Sequence, residues 1–270
     1  MYVYPPPQSG EAWQSLGLAL LEQGRVQDAE FALRESLGLD PGNAAAHSDL
    51  LLSLNYTGRH SPEEIFAEHR AWNQRHAAPL AAEVRPHENA PHPDRRLRVG
   101  YVSPDFRAHP VVFFLGQALA LHHRRDFAVH CYSNVARPDA VTEKLQGLAE
   151  AWRDIRPLND PQAADLIRQD GIDVLVDLAG HTGDNRLLVF ARRPAPVQVT
   201  WLGYPNTTGL AAIDYCLTDV WSDPPGRTER YHTEELVRLP SGAMCYLPVT
   251  DAPEVAEPPA LRNEIGRAHV

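Results

Sequence analysis

IDVLVDLAGHTGDNRLLVFARRPAPVQVTWLGYPNTTG, residues Ile172 to Gly209, is the stretch on which the fold turns. It holds two buried-strand signals, Ile172–Leu178 and Val197–Leu202. Each runs into a polar loop that carries glycine, Ala179–Thr182 after the first and Gly203–Gly209 after the second. Between them Asn185–Arg192 reads as a short helix, stopped by Pro194 and Pro196. Strand, helix and strand joined this tightly make a parallel βαβ unit. Ligands of an open α/β sheet sit beyond the carboxyl ends of its strands, so the two polar loops mark the place for chemistry.

The same alternation extends both ways. Upstream, Leu97–Ser103 is a first strand, the loop Pro104–Pro110 follows, and an apolar helix runs over about Val112–Leu121. Phe127–Ser133 is a second strand, Asp139–Trp152 a helix opened by Pro138, and Asp160-Pro161 caps another helix that runs to about Gln169. Asp170-Gly171 then turns into the strand at Ile172. Downstream, Ile213–Thr218 reads as a strand, Thr228–Glu235 as weakly helical and Leu236–Leu239 as a last strand. Strand and helix in alternation define a doubly wound α/β domain.

The part before Leu97 is helical. Trp13, Leu16, Leu20, Ala29, Leu33 and Leu37 follow helix spacing, with Gly24 dividing two helices and Asp40-Pro41 ending the second. Trp13, Leu16-Gly17, Leu20, Ala29, Leu33 and Pro41 fit one tetratricopeptide repeat, in which the small Gly17 and Ala29 let the two helices approach. A lone repeat must stack on something to bury its face. It is either a packing element for the next domain or the remnant of a peptide-binding solenoid. Ala46, Leu50 and Leu54 continue the helical pattern, and Ser61-Pro62-Glu63-Glu64 is a helix start with a capping box. His69 and His76 are expected on the surface of that helix. Residues 1–9 are expected to be a disordered lead-in, 10–77 a repeat-type helical segment, 78–96 a linker, 97–248 the α/β lobe and 249–270 a linker or truncated tail.

Composition removes several function classes. A formal net charge of −10 with scattered arginine pairs argues against nucleic-acid binding. Cys131, Cys216 and Cys245 have no metal-ligand spacing, and three cysteines in 270 residues suit a reducing, cytoplasmic setting. No apolar run reaches membrane-spanning length. There is no Walker or Gly-x-Gly-x-x-Gly loop, no Gly-x-Ser-x-Gly elbow and no zinc-type cluster.

Three loops should converge above the sheet: Asp105–Pro110, Gly180–Asn185 and Gly203–Gly209. They offer His109, His181, Thr182, Thr207, Thr208 and backbone N–H groups, a set suited to a polyhydroxylated or phosphorylated ligand. His109 stands at a helix N-terminus, a setting that receives anions and favours a neutral, base-competent imidazole. The plainer alternative is that His109 and His181 bond only their own loops and that Thr207-Thr208 are turn residues.

At this point the residues resemble a known family. LRVGYVSPDF with His109-Pro110, DLAGHT over Asp177–Thr182, and RPAPVQVTWLGYP over Arg193–Pro205 with Thr208-Gly209 are similar to the O-linked N-acetylglucosamine transferases, bacterial and SPINDLY-type members included. The resemblance covers Leu97–Pro240 and takes in the helical repeat. It implies a GT-B glycosyltransferase whose Rossmann-like first lobe follows tetratricopeptide repeats. Such enzymes use no metal or other cofactor. They move a sugar from a nucleotide sugar, here UDP-GlcNAc, to Ser or Thr hydroxyls of acceptor proteins with inversion. By the resemblance His109 is the catalytic histidine. Thr182, Leu202, Gly203 and Pro205 match positions that line the family's sugar pocket, and Pro110, Gly180, His181 and Thr208 fall with them among the substrate-binding motifs. After His109-Pro110, many members carry a polar Ser/Thr and a second histidine, whereas Val111–Phe114 is apolar here. Some SPINDLY-type relatives use GDP-fucose, which keeps an O-fucosyltransferase open.

The resemblance also implies a second lobe with most of the uridine and diphosphate contacts, including a lysine, and no such segment is recognisable here. A site between two lobes cannot stabilise charge on a leaving diphosphate with one lobe missing. The expectation is therefore a fragment, with Asn263–Val270 foreign to the family, and no turnover by residues 1–270 alone. A repeat-bearing adaptor that has lost catalysis is the competing reading.

Overall fold

A computed structural model describes residues 8–92 and 94–246, together with 254, 256 and 258. Most of the expected lead-in and most of the expected tail lie outside the described residues.

The helical segment forms as its signals require. Helix α1 (Gly10–Glu22) is capped by Ser9, whose side chain accepts from the Ala12 N–H, and Gly24 turns the chain at φ 71° into α2 (Val26–Leu39). A Cβ at Gly17 would sit 2.7 Å from Leu33 Cγ, so glycine there sets how closely the two helices approach. Asn43 caps α3 (Ala44–Thr57), and Gly58 ends it in the left-handed region. Helix α4 (Pro62–Trp72) opens with the expected capping box of Ser61 and Glu64.

A seven-stranded, wholly parallel sheet follows, with strand order β3-β2-β1-β4-β5-β6-β7. The strands are β1 (Leu97–Ser103), β2 (Phe127–Ser133), β3 (Ala151–Asp154), β4 (Val174–Asp177), β5 (Val197–Trp201), β6 (Tyr215–Thr218) and β7 (Glu235–Arg238). Helices α5 (Pro110–Leu121), α6 (Ala140–Gln146), α7 (Asp160–Gln169) and α8 (Leu187–Phe190) make the crossovers. The chain steps outward from β1 to β3, then returns to place β4 on the other side of β1. That reversal opens a crevice above the carboxyl ends of β1 and β4.

The structure corrects four expectations. The helix expected over 139–152 stops at Gln146, and Ala151–Asp154 becomes the edge strand β3. The helix expected over 185–192 is only Leu187–Phe190. The segment expected to be weakly helical near 228–235 holds only a 3-10 turn, Glu229–Tyr231. Part of the stretch expected as an unstructured linker is a 3-10 helix, Ala78–Glu83, and its later half is pinned: Asn89 Nδ2 donates to the Gly171 and Ile172 carbonyls, and Arg95 pairs with the buried Asp173.

The two sheet faces have separate cores. Val99, Tyr101, Leu115, Val129 and Val176 fill one. Val102, Tyr132, Ile167, Leu175 and Phe190 fill the other, and that cluster continues into Leu33, Leu50, Leu51 and Trp72 of the helical segment. The lone repeat thus buries its face against α3, and α3 and α4 share a core with the sheet. Apolar burial on this scale fixes the helices relative to the site loops.

Candidate active site

The loop after β1 is built before His109 is reached. Ser103 Oγ accepts from the Asp105 N–H at 2.9 Å, and Asp139, at the start of α6, accepts from the Ala108 N–H at 2.8 Å. His109 then caps α5, its Nδ1 accepting a long 3.4 Å bond from the Val111 N–H. In a neutral ring this leaves the proton on Nε2, which faces Asp105 Oδ1 at 3.6 Å. Burial raises the pKa of Asp105, while His109 and Arg107 pull it down. To act as a base, His109 must therefore give up the Val111 contact or pass its Nε2 proton towards Asp105.

The loop after β4 is organised by Asp177. This carboxyl accepts from the Gly180 N–H at 2.8 Å, the Ala179 N–H at 3.2 Å and Thr200 Oγ1 at 2.9 Å. Burial pushes its pKa up to about 6 against those donors. Thr182 Oγ1 donates to the Ala179 carbonyl at 2.8 Å. Gly180 has φ 54°, and a Cβ there would lie 2.2 Å from Tyr204 Cβ. The loops after β4 and β5 therefore interlock through a residue that must be glycine.

The loop after β5 carries backbone strain. Leu202 lies in the left-handed region at φ 76°, unusual for a branched side chain. Gly203 passes so close to the Leu178 carbonyl that a Cβ would sit 1.9 Å from its oxygen. Beyond it, Glu234 accepts from Thr207 Oγ1, from the Thr208 N–H at 2.8 Å and from Thr208 Oγ1.

The helical segment reaches into both loops. Tyr204 donates its hydroxyl proton to His69 Nε2 at 2.8 Å and accepts from Asn55 Nδ2 at 2.8 Å. Asn206 Nδ2 donates to Asn55 Oδ1 at 2.8 Å. His181 Nε2 donates to the Thr208 carbonyl at 2.8 Å, and Ser48 Oγ donates to His181 Nδ1 at 3.0 Å. His69 is fully buried, which overturns its expected surface position, while His76 is half-buried with its Nε2 3.0 Å from His47 Nδ1. Helical spacing shows that His69 shares a face with Ile65. It does not show that the other side of this face is the Tyr204 loop.

The residues named from sequence thus fall into three groups. His109, Thr182 and Gly203 line a cavity of about 460 Å³ with Asp105, Arg107, Arg137, Asp139 and Asp184. Leu202 and Pro205 line a separate, smaller cavity of about 180 Å³. Gly180, His181 and Thr208 are buried beneath the loops and act there as holding residues, and Pro110 is exposed at the first turn of α5. Ser48, Asn55, His69 and Glu234 have roles in the site that sequence reading did not find. A larger cavity, about 1020 Å³, lies at the opposite end of the strands near Arg98 and Gly171, away from every strand-end loop described above. Among the described residues no group of three or more His, Cys, Asp or Glu is placed to hold a metal ion. No helix among them is long and apolar enough to cross a membrane.

A parallel sheet with a switch-point crevice, preceded by helical repeats that brace its loops, defines the first lobe of a GT-B glycosyltransferase. It superposes on an O-GlcNAc transferase of Thermobaculum terrenum with TM-score 0.87 and 42% identity, covering 92% of this chain and 47% of that one. Residues 47–245 match glycosyl transferase family 41 and residues 10–43 a tetratricopeptide repeat, and the chain belongs to that transferase family. A Petunia hybrida protein described as a probable UDP-N-acetylglucosamine–peptide N-acetylglucosaminyltransferase, SPINDLY, is 42% identical over 231 residues, 84% of this chain and 25% of its own length. An Arabidopsis thaliana protein of the same description, SEC, is 38% identical over 153 residues, 56% of this chain and 15% of its own. The chain spans about a quarter of the length of the SPINDLY relatives it matches.

Proposed function

We propose that this chain forms the helical segment and first lobe of a protein O-glycosyltransferase that moves N-acetylglucosamine from UDP-GlcNAc to Ser or Thr hydroxyls, without a metal. The observation that carries the reading is the cavity where His109, Thr182 and Gly203 meet, each on the carboxyl end of a different parallel strand. Family membership and the names of the relatives support the donor and the peptide acceptor.

His109 is the group placed to handle the acceptor proton, with Asp105 behind its Nε2. Gly203 lets the loop after β5 pack directly on the Leu178 carbonyl and so fixes this wall of the cavity. The leaving diphosphate needs fixed positive charge. Arg107 and Arg137 are the cations at this cavity, set against Asp105, Asp139 and Asp184. That balance suits the sugar and acceptor side of the reaction better than the diphosphate side, as in a site completed by a second lobe.

The test is transfer of labelled sugar to a Ser/Thr peptide by the full product of the gene, offered UDP-GlcNAc or GDP-fucose. We expect transfer from UDP-GlcNAc, lowered at least a hundredfold by His109→Ala with the circular dichroism spectrum unchanged. Transfer from GDP-fucose alone would change the donor. No transfer from either, or full activity in the variant, would refute the reading of the site.

A further inference from the structure

The larger cavity, about 1020 Å³, opens at the amino ends of the strands, at the opposite end of the sheet from His109. Its walls come from residues 85–90 before the sheet, from residues 95–98 leading into β1, and from the end of α7 with the turn after it. Five arginines line it, Arg85, Arg95, Arg96, Arg98 and Arg168, against the carboxylates of Glu88 and Asp165. Two of the five are neutralised from outside the cavity, Arg95 by the buried Asp173 and Arg96 by Glu150. Arg85 pairs with Asp165, but the two side chains are 57% and 51% exposed, so that pair holds weakly. Arg98 and Arg168 pair with no carboxylate among the described residues.

These last two differ in what they offer. Arg168 is a fixed charge. Its Nη1 donates to the Arg85 and Pro86 carbonyls at 3.2 and 3.5 Å, its Nη2 to the Arg192 and Arg193 carbonyls at 3.2 and 2.9 Å, and its Nε is buried without a partner. The carbonyls hold the guanidinium without cancelling its charge. Burial first, then Arg168 and Arg193, push the pKa of the half-buried His87 on the same wall down. Arg98 is a donor: its side chain makes no hydrogen bond among the described residues, and its guanidinium lies over Gly171, where a Cβ would sit 2.7 Å from Nη1. A fixed charge, an unpaired planar fork and a third guanidinium that a stronger acceptor can draw from Asp165 make a receptor for oxyanions. The charges are spread over three walls, and the volume is at the top of the ~300–1,000 Å³ range of small-molecule pockets, so an anion with several such groups fits better than one phosphate. A net charge of −10 works against docking on an anionic membrane surface, and the arginines lie inside a concavity rather than along a stripe that a nucleic-acid strand would follow.

We propose that this cavity binds a small soluble anion carrying two or more phosphate groups, and that the bound anion clamps residues 85–90 onto β1 and α7. Arg98 and Arg85 donate to the phosphate oxygens, and Arg168 supplies field without a direct bond. The site would thereby tighten the connection between the helical segment and the lobe.

Isothermal titration of inorganic pyrophosphate into the 270-residue chain tests this. We expect saturable binding, tighter than that of inorganic phosphate, that weakens about tenfold in Arg98→Gln. It should tighten in Asp165→Asn, which releases Arg85 and removes a repelling carboxylate, and a gain of this kind cannot come from misfolding. Binding should persist in Arg137→Gln, which lowers the positive charge at the His109 cavity instead. In the wild-type chain, bound pyrophosphate should raise the pKa of His87, followed by its ring protons, and slow amide exchange over residues 85–90. The inference is overturned if pyrophosphate does not bind, if Arg98→Gln and Asp165→Asn bind as wild type, or if Arg137→Gln abolishes binding and so moves the anion to the active site. Capture by vesicles of phosphatidylcholine and phosphatidylserine, or by single-stranded RNA, with no binding of pyrophosphate at the same salt would overturn it in favour of a macromolecular surface. None of these outcomes depends on sugar transfer.

Discussion

Acidification should loosen the joint between the helical segment and the site loops, and His69 sets the size of the effect. Its ring is buried and neutral. Nδ1–H donates to the Ile65 carbonyl at 2.7 Å, so Nε2 must accept the Tyr204 hydroxyl proton. Burial pushes its pKa down from 6.5 to about 4; the Ile65 carbonyl and Glu234 pull the other way and His47 adds to the fall. A group whose folded pKa lies below its unfolded one contributes its full stability above the unfolded value. That contribution drains away as pH falls from about 6.5 towards 4. Between pH 7 and pH 5 the loss from His69 alone works out at about 2 kcal/mol. His181, its pKa also lowered by burial, adds in the same direction. Asp177 opposes them: with its pKa raised to about 6, its ionisation costs stability as pH rises. The raw pH dependence therefore mixes signs, and the difference between wild type and His69→Gln isolates the histidine. Glutamine can still accept from Tyr204 and does not titrate. Urea unfolding at both pH values, followed by Trp72 fluorescence beside His181, should show wild type losing about 2 kcal/mol more than the variant. Equal losses in the two proteins would refute the neutral, buried imidazole and the joint built on it.

Other changes test the same construction. Gly203→Ala places a methyl against the Leu178 carbonyl and should cost more than ~3 kcal/mol, seen as a thermal midpoint lowered by many degrees or as loss of soluble protein. Tyr204→Phe leaves His69 Nε2 buried without a donor and should cost about 1–3 kcal/mol in urea unfolding, while a cost near zero would mean that the bond is not made. Glu234→Gln replaces a buried acceptor of three hydrogen bonds by a group that can satisfy only part of them, with an expected cost of about 1–2 kcal/mol and faster amide exchange at Thr208.

Much of the fold was legible because its signals are local. Val197–Trp201 is a run of strand-forming residues between proline and glycine, and Ser61-Pro62 with Glu64 is a helix start wherever it occurs. The misses arose where local signals ran out. Asp139–Gln146 and Ala151–Asp154 are separated only by a short turn at Gly147, with no proline to divide helix from strand, and the edge strand forms because β2 offers it a partner. In the site, His109 could be placed from its position between a strand and a helix. The split of the loop residues between two cavities could not, because it depends on how Leu202 and Gly203 are turned.

The sequence by itself determined the strands and loops that carry the site, the glycines that allow close approach and the family to which the chain belongs. All of these rest on residues near one another in the chain. The tertiary structure decided which histidines are inside and what each one holds. Ser48 meets His181 across 133 residues, His69 meets Tyr204 across 135, and Asn55 meets Asn206 across 151. Helical periodicity says which side chains share a face, and only packing says what that face touches.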